Sequence, residues 1–155
     1  MLTPRKSIAA LALSAAAFVG LALHEGYRDT AYTPVPGDVP TIGFGTTDGV
    51  KMGDKITPPQ ALVRALTDVQ KFEGAIKRCV TAPLHQYEYD AYTSLAYNIG
   101  TGGFCASTLV RKLNAQDYEG ACREILRWDK FKGAPLPGLT KRRQAEHRQC
   151  MGQGA

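Results

Sequence analysis

A chain of 155 residues is of single-domain length, and its 44% hydrophobic content supports a sizeable core rather than a disordered or low-complexity protein. Nineteen Lys and Arg against 14 Asp and Glu leave a net charge of +5 and a pI near 9.1. No basic run exceeds Lys141-Arg142-Arg143, so nothing beyond charge speaks for a nucleic-acid partner, whereas a diffusely basic surface suits an anionic polymer.

Arg5 and Lys6 precede residues 7–23 (SIAALALSAAAFVGLAL), which carry no charge and include seven Ala. As one helix this stretch reaches roughly 26 Å at 1.5 Å per residue. That is just short of a hydrocarbon core of ~30 Å. The basic end is expected to stay cytoplasmic, with the rest of the chain exported. Cleavage after Ala17 or Ala22 would make the stretch a signal peptide. Cleavage after Ala22 would leave Glu25 third in the mature chain, with no helix to hold it. The segment is also Ala-rich and only weakly apolar, so it is read as an anchor able to leave the bilayer. The expected division is therefore a releasable signal-anchor over 1–23 and a globular domain over 24–155.

Residues 33–40 (TPVPGDVP) read as a loop, and 41–47 as a short strand in which Gly43 and Gly45 permit close backbone approach. Asp48-Gly49 is a hairpin signal, after which Val50-Lys51-Met52 is expected to pair back. Thr57-Pro58-Pro59-Gln60 supplies an N-cap, Pro in the first turn and a capping-box Gln. A long helix follows to Cys79. Pro83 breaks the chain, and a helix is expected over 85–99 with Tyr89, Tyr92, Ala96 and Ile99 inward. Gly100–Gly103 is read as a loop and 105–113 as a short helix. Asp117 N-caps a helix to about Trp128. Residues 129–138 read as loop and 139–151 as a last, basic helix.

The four cysteines, 79, 105, 122 and 150, contain no Cys-x-x-Cys pair and share no metal-ligand spacing with His24, His85 or His147. Downstream of an export segment, an even count implies two disulfides. The pairing favoured is Cys79–Cys150, tying the long helix to the last one, with Cys105–Cys122 joining consecutive helical segments.

Glu25-Gly26-x-Arg28, Tyr32, and Thr41-Ile42-Gly43-x-Gly45 together resemble the active-site signature of the phage-type lysozymes, glycoside hydrolase family 24. The resemblance continues through Asn98-Ile99-Gly100, Phe104, Ser107-Thr108-Leu109, Trp128 and Gly138-Leu139-x-x-Arg142-Arg143, covering roughly residues 24–150. Several blocks in one order are far more specific than any block alone. The chain departs from the family at one place. Pro34 stands where the family spacing puts an Asp nine positions after the Glu, while Asp38 lies three positions before Thr41.

The resemblance implies an α+β, mainly α, lysozyme-like fold. A small β-bearing lobe, a long connecting helix and a helical lobe would follow an N-terminal apolar helix. It also implies an enzyme that hydrolyses the β-1,4 bond between N-acetylmuramic acid and N-acetylglucosamine in peptidoglycan, a phage endolysin that lyses the host cell. Glu25 would be the general acid, kept protonated by partial desolvation at the end of an apolar helix. Asp38 and Thr41 would handle the attacking water or the sugar. Tyr97, Asn98, Phe104 and Ser107 fall where the family binds sugar, and Arg142-Arg143 would meet the anionic peptide stem, cap acidic partners or lie on a solvated face. No metal or organic cofactor is implied. The expected partners are peptidoglycan and, before release, the inner membrane through residues 7–23; the chain is read as a monomer. The weak apolar segment resembles the signal-arrest-release segments of some endolysins, placing the chain first in the inner membrane, N-in and C-out, then in the periplasm. A lytic transglycosylase or a non-catalytic membrane-anchored peptidoglycan binder are the rival readings.

Overall fold

The structure, a computed structural model, describes residues 3–154. The chain divides into two compact units, one formed by residues up to Ser14 together with those from Phe72 onward, the other by Ala15–Lys71. The boundary after Ser14 falls inside the uncharged stretch.

The β-bearing unit begins with α1 (Ala15–Glu25), which ends as Gly26 takes a positive φ of 67° and its N–H caps the Ala22 carbonyl at 3.0 Å. Strand β1 (Arg28–Tyr32) pairs antiparallel with β2 (Thr41–Gly43), in the register Arg28 to Gly43 and Tyr32 to Thr41 with an irregularity between. The expected strand over 41–47 is therefore shorter. Gly43 and Gly45 both have positive φ, the chain turns at Phe44-Gly45, and Ile42 and Thr46 exchange backbone hydrogen bonds of 2.9 and 3.0 Å. Asp48-Gly49 does form a turn, but Val50–Met52 do not pair back. The other edge of β1 is taken by residues 54–56, with Ala31 N–H on the Asp54 carbonyl and Ile56 N–H on the Asp29 carbonyl, both 2.9 Å. Ala31, Ile42, Val50, Ile56 and Ala61 form this unit's core.

Helix α2 (Pro58–Cys79) starts as its sequence requires. The Gln60 side chain accepts from both the backbone N–H and the hydroxyl of Thr57, each at 3.0 Å.

In the helical unit, α3 (Gln86–Ile99) opens with a capping box at His85 and Glu88 and buries Tyr89, Tyr92 and Ala96. The Gly100–Gly103 segment is not a loop. It begins α4 (Thr101–Cys105), and Ser107 then caps a separate α5 (Thr108–Asn114). Asp117 caps α6 (Tyr118–Glu124) through the Gly120 N–H at 3.0 Å, and a 3-10 turn, Ile125–Arg127, carries the chain to Trp128. A two-residue hairpin, β3 (Lys130–Phe131) with β4 (Ala134–Pro135), precedes α7 (Pro137–Cys150).

Two expectations need correction. The first is the continuous apolar helix over 7–23. Instead, a 3-10 turn at Ile8–Ala10 is followed by extended chain, and α1 starts only at Ala15. Polar side chains of the helical unit take the backbone groups a helix would have used internally. Leu13 N–H donates to Glu73 at 2.6 Å and Ser14 N–H to Asp90 at 3.0 Å, while the carbonyls of Leu11 and Ala12 accept from Lys77 and Gln86. Among the described residues no helix is long and apolar enough to cross a membrane.

The second is the disulfide pairing. Both bonds form, but as Cys79–Cys105 and Cys122–Cys150 rather than 79–150 and 105–122. Helix α4 returns Cys105 to the end of α2, where its sulfur also lies 3.8 Å from the Ala75 carbonyl, and α7 packs on α3 and α6, bringing Cys150 to Cys122. Of the readings for the basic pair of the last helix, Arg143 takes the acidic partner rather than the solvated face: it is 1% exposed and pairs with Glu146.

Candidate active site

Glu25 is the last residue of α1 and is half-buried. Its carboxyl packs against the turn after β2: a Cβ placed on Gly45 would lie 3.0 Å from Glu25 Oε2 and 3.4 Å from its Cγ. Gly45 therefore does two things, adopting a φ of 88° and leaving the space the carboxyl needs. The neighbouring Tyr27 fastens this corner. Its hydroxyl donates to the Ile56 carbonyl at 2.8 Å and its ring packs on Phe44, centroids 5.4 Å apart.

Thr41 opens β2 and is buried, with its hydroxyl donating to the Val39 carbonyl at 3.3 Å. A carbonyl only accepts, so the hydroxyl proton is engaged and a lone pair on Oγ1 is left for a donor such as water. Asp38 is exposed, in the 33–40 loop, and its Oδ1 accepts from the Val39 N–H at 2.8 Å. Asp38 and Thr41 thus hold opposite ends of the Val39 residue, and the Asp38 carboxylate supports the peptide that orients the threonine. Thr46, which the sequence reading did not single out, is 2% exposed and donates to Asp68 at 2.6 Å, tying the turn to α2.

The sugar-binding candidates lie in the helical unit and fare unequally. Tyr97 is half-buried, its ring 4.9 Å from that of Phe72. Asn98 is exposed in the last turn of α3 and accepts through Oδ1 from Arg143 Nη1 at 2.9 Å. Ser107 is half-buried, accepting from Val110 N–H at 3.3 Å and donating to the Phe104 carbonyl at 2.6 Å. It lines a cavity of about 360 Å³ with Thr108, Glu124, Arg127 and Trp128. Phe104 is a correction: at 0% exposure, packed on Tyr92, its ring belongs to the core and offers no face to a sugar. The sequence signal was ambiguous because one aromatic among glycines suits either role.

A carboxylate at a helix end, seated against the turn that follows β2 on a small β-bearing unit of a largely helical chain, is an arrangement a glycoside hydrolase can use. Comparison with known proteins agrees. The Phage lysozyme family model matches residues 22–146. An endolysin of Acyrthosiphon pisum secondary endosymbiont phage 1 is 42% identical over 127 residues, 79% of this chain and 86% of that one. A SAR-endolysin of Pseudomonas phage phiKMV is 39% identical over 142 residues, 88% of this chain and 87% of that one. Among solved structures, an endolysin from Escherichia coli O157:H7 phage FAHEc1 superposes with a TM-score of 0.80 at 35% identity, covering 92% of this chain and 94% of that one. The chain belongs to the phage lysozyme family and is a glycoside hydrolase of the muramidase class.

Proposed function

We propose that this chain is an endolysin that hydrolyses the β-1,4 bond between N-acetylmuramic acid and N-acetylglucosamine of peptidoglycan, with Glu25 donating the proton to the leaving oxygen. The observation that carries this assignment is the Glu25 carboxyl seated on the open face of Gly45, held there by the end of α1 and the turn after β2. Thr41 offers its lone pair to the attacking water, and Asp38 supports it through Val39 while adding negative charge near the developing oxocarbenium ion. Tyr97, Asn98 and Ser107 contact the glycan. The chain acts as a monomer.

Product analysis on purified sacculi tests the reaction. Hydrolysis leaves a reducing sugar end; a 1,6-anhydro end would instead make the chain a lytic transglycosylase. Glu25→Gln should abolish product while leaving the melting temperature unchanged, because an amide has no proton to transfer.

The N-terminal segment serves twice. It is first a signal-anchor spanning the inner membrane, N-in and C-out, and after release into the periplasm it is part of the folded enzyme. The released arrangement is supported by what residues 5–14 do in the helical unit. Arg5 pairs with the buried Glu88 at 2.7 Å and lies 3.5 Å over the Tyr118 ring. Lys6 and Leu84 exchange backbone hydrogen bonds of 2.8 Å, and Ile8 and Leu11 join the core. A chain cut after Ala17 or Ala22 would lose all of these. The anchored arrangement is supported by the lack of charge over 7–23 and by α1 residues left outside the core, with Leu23 78% exposed. N-terminal sequencing of the soluble product should begin near Met1; a start after Ala17 or Ala22 would make the segment a cleaved signal peptide.

A further inference from the structure

The turn that seats Glu25 has little in its own sequence to hold it in place. Of the three residues between Ile42 and Thr46, two are glycines with positive φ, Gly43 and Gly45, and glycine leaves a backbone the most freedom. The position of the turn therefore comes from what it rests on. Within the β-bearing unit that support is one face of α2, through residues 61, 64, 68 and 71, whose steps of three, four and three keep them on one side of the helix.

Ala61 meets Gly43: a Cβ placed on the glycine would lie 2.9 Å from the Ala61 Cβ, so its absence lets β2 close on the first turn of the helix. Next along the face, Arg64 Nη2 donates to the Asp48 carbonyl at 2.6 Å. Asp68 accepts from the buried Thr46 hydroxyl at 2.6 Å. Lys71, near the end of the row, pairs with the Asp48 carboxylate at 2.6 Å. Among the described residues, the chain just after Gly45 is thus held by three side chains of α2, once at Thr46 and twice at Asp48. The outer pair is a weak source of stability, since the Lys71 and Asp48 side chains are 59% and 75% exposed and solvent screens such a contact. What the row does is take freedom from a glycine turn. A Cβ on Gly45 would lie 3.0 Å from Glu25 Oε2, so the Glu25 carboxyl rests on the backbone of that turn.

We propose that Thr46 and Asp68, backed by Asp48, Arg64 and Lys71, are positioning residues for the reaction: through the turn after β2 they set where the Glu25 carboxyl stands. This inference rests on the reading of Glu25 as the general acid. The residues act on the turn and not on the sugar.

The Thr46–Asp68 bond is tested in the full chain with soluble glycan strands as substrate, well below the melting temperature of every variant. Thr46→Val keeps the shape and removes the hydroxyl. Its kcat should fall about tenfold with KM within about twofold, because a displaced general acid weakens the transition state and leaves ground-state binding alone. Thr46→Ser keeps a hydroxyl and Asp68→Asn keeps an acceptor oxygen, so both should hold kcat within about threefold of wild type. The double variant Thr46→Val with Asp68→Leu separates position from stability. An apolar pair in place of a hydrogen-bonded one should recover much of the melting temperature lost by Thr46→Val. It has no directional bond to place the turn, so kcat should stay about tenfold down. A kcat that returns with the melting temperature, a Thr46→Val enzyme at wild-type kcat, or equal losses in Thr46→Ser and Thr46→Val each overturn the proposal. Glu25→Gln, measured alongside, keeps the two readings apart. If it is inactive while Thr46→Val keeps full kcat, only this inference fails; if it turns over substrate, the general-acid reading fails and this inference with it.

Discussion

Gly45 shows how much a single position decides. A methyl group there would meet the Glu25 carboxyl at 3.0 Å and force an L-residue into a φ of 88°. On the role proposed for Glu25 as general acid, Gly45→Ala should reduce kcat at least tenfold, because a displacement of about 1 Å costs on the order of a hundredfold. Cleared turbidity of chloroform-treated cells measures it, and a wild-type rate would separate Glu25 geometry from the turn. Asp38→Asn keeps the acceptor for Val39 but removes the charge, whereas Asp38→Ala removes both. A tenfold fall in kcat with Asp38→Asn is expected, and near-wild-type activity would restrict Asp38 to orienting Thr41. Glu124 offers a pH readout. Hydrogen bonding from Lys112 at 2.7 Å, opposed by desolvation and aided by Arg127, holds its carboxyl below the ordinary 4.5. A depressed folded value means the unfolded chain binds the proton more readily, so this stability is present above pH 4.5 and lost as pH falls through the folded value. The melting-temperature gap between wild type and Glu124→Gln should therefore be largest near neutrality and close as the pH is lowered through the depressed folded value.

At the scale of elements, the informative segment is 5–14. Leu11 is 3% exposed in the helical unit's core, so Leu11→Ala should cost about 2–5 kcal/mol by denaturant melting of the soluble enzyme. A segment that merely anchors the chain would show no such cost. The converse variant acts on the membrane alone. Ala12 and Ala16 are exposed in the folded chain, so changing both to Leu leaves packing intact while strengthening bilayer partitioning. Host lysis should be delayed, and the purified, detergent-released variant should retain normal specific activity. Normal lysis timing would argue against a membrane stage governed by weak apolarity.

For the molecule as a whole, the two disulfides both lie in the helical unit and close loops with sequence separations of 26 and 28. Each contributes about 3.5 kcal/mol by the loop-entropy relation. Non-reducing digestion of the soluble protein should yield fragments linking Cys79 to Cys105 and Cys122 to Cys150, with no titratable thiol. Fragments linking Cys79 to Cys150 would overturn this topology. Reduction should lower the melting temperature of the helical unit first.

Much of the chain could be read without coordinates where the physics is local. The caps at Thr57-Gln60 and Asp117, the turn at Asp48-Gly49, the long helix to Cys79 and the inward faces of Tyr89, Tyr92 and Ala96 follow from periodicity and backbone chemistry within a few residues of each position. The order of the Glu25, Thr41 and Asn98 blocks was equally visible, because spacing along the chain is a sequence property. What required the tertiary structure were partners remote in sequence. The uncharged 7–23 stretch reads as one helix until Glu73, Asp90, Lys77 and Gln86, some 60 to 76 positions away, take its backbone groups. Arg143 admits a substrate, an acid-paired or a solvated reading until Glu146 and Asn98 meet it, and four cysteines admit several pairings until helix packing selects one. Local propensity acts through neighbouring residues and is written in the sequence; burial, charge pairing and crosslinking depend on which distant groups meet, and only the folded chain brings those together.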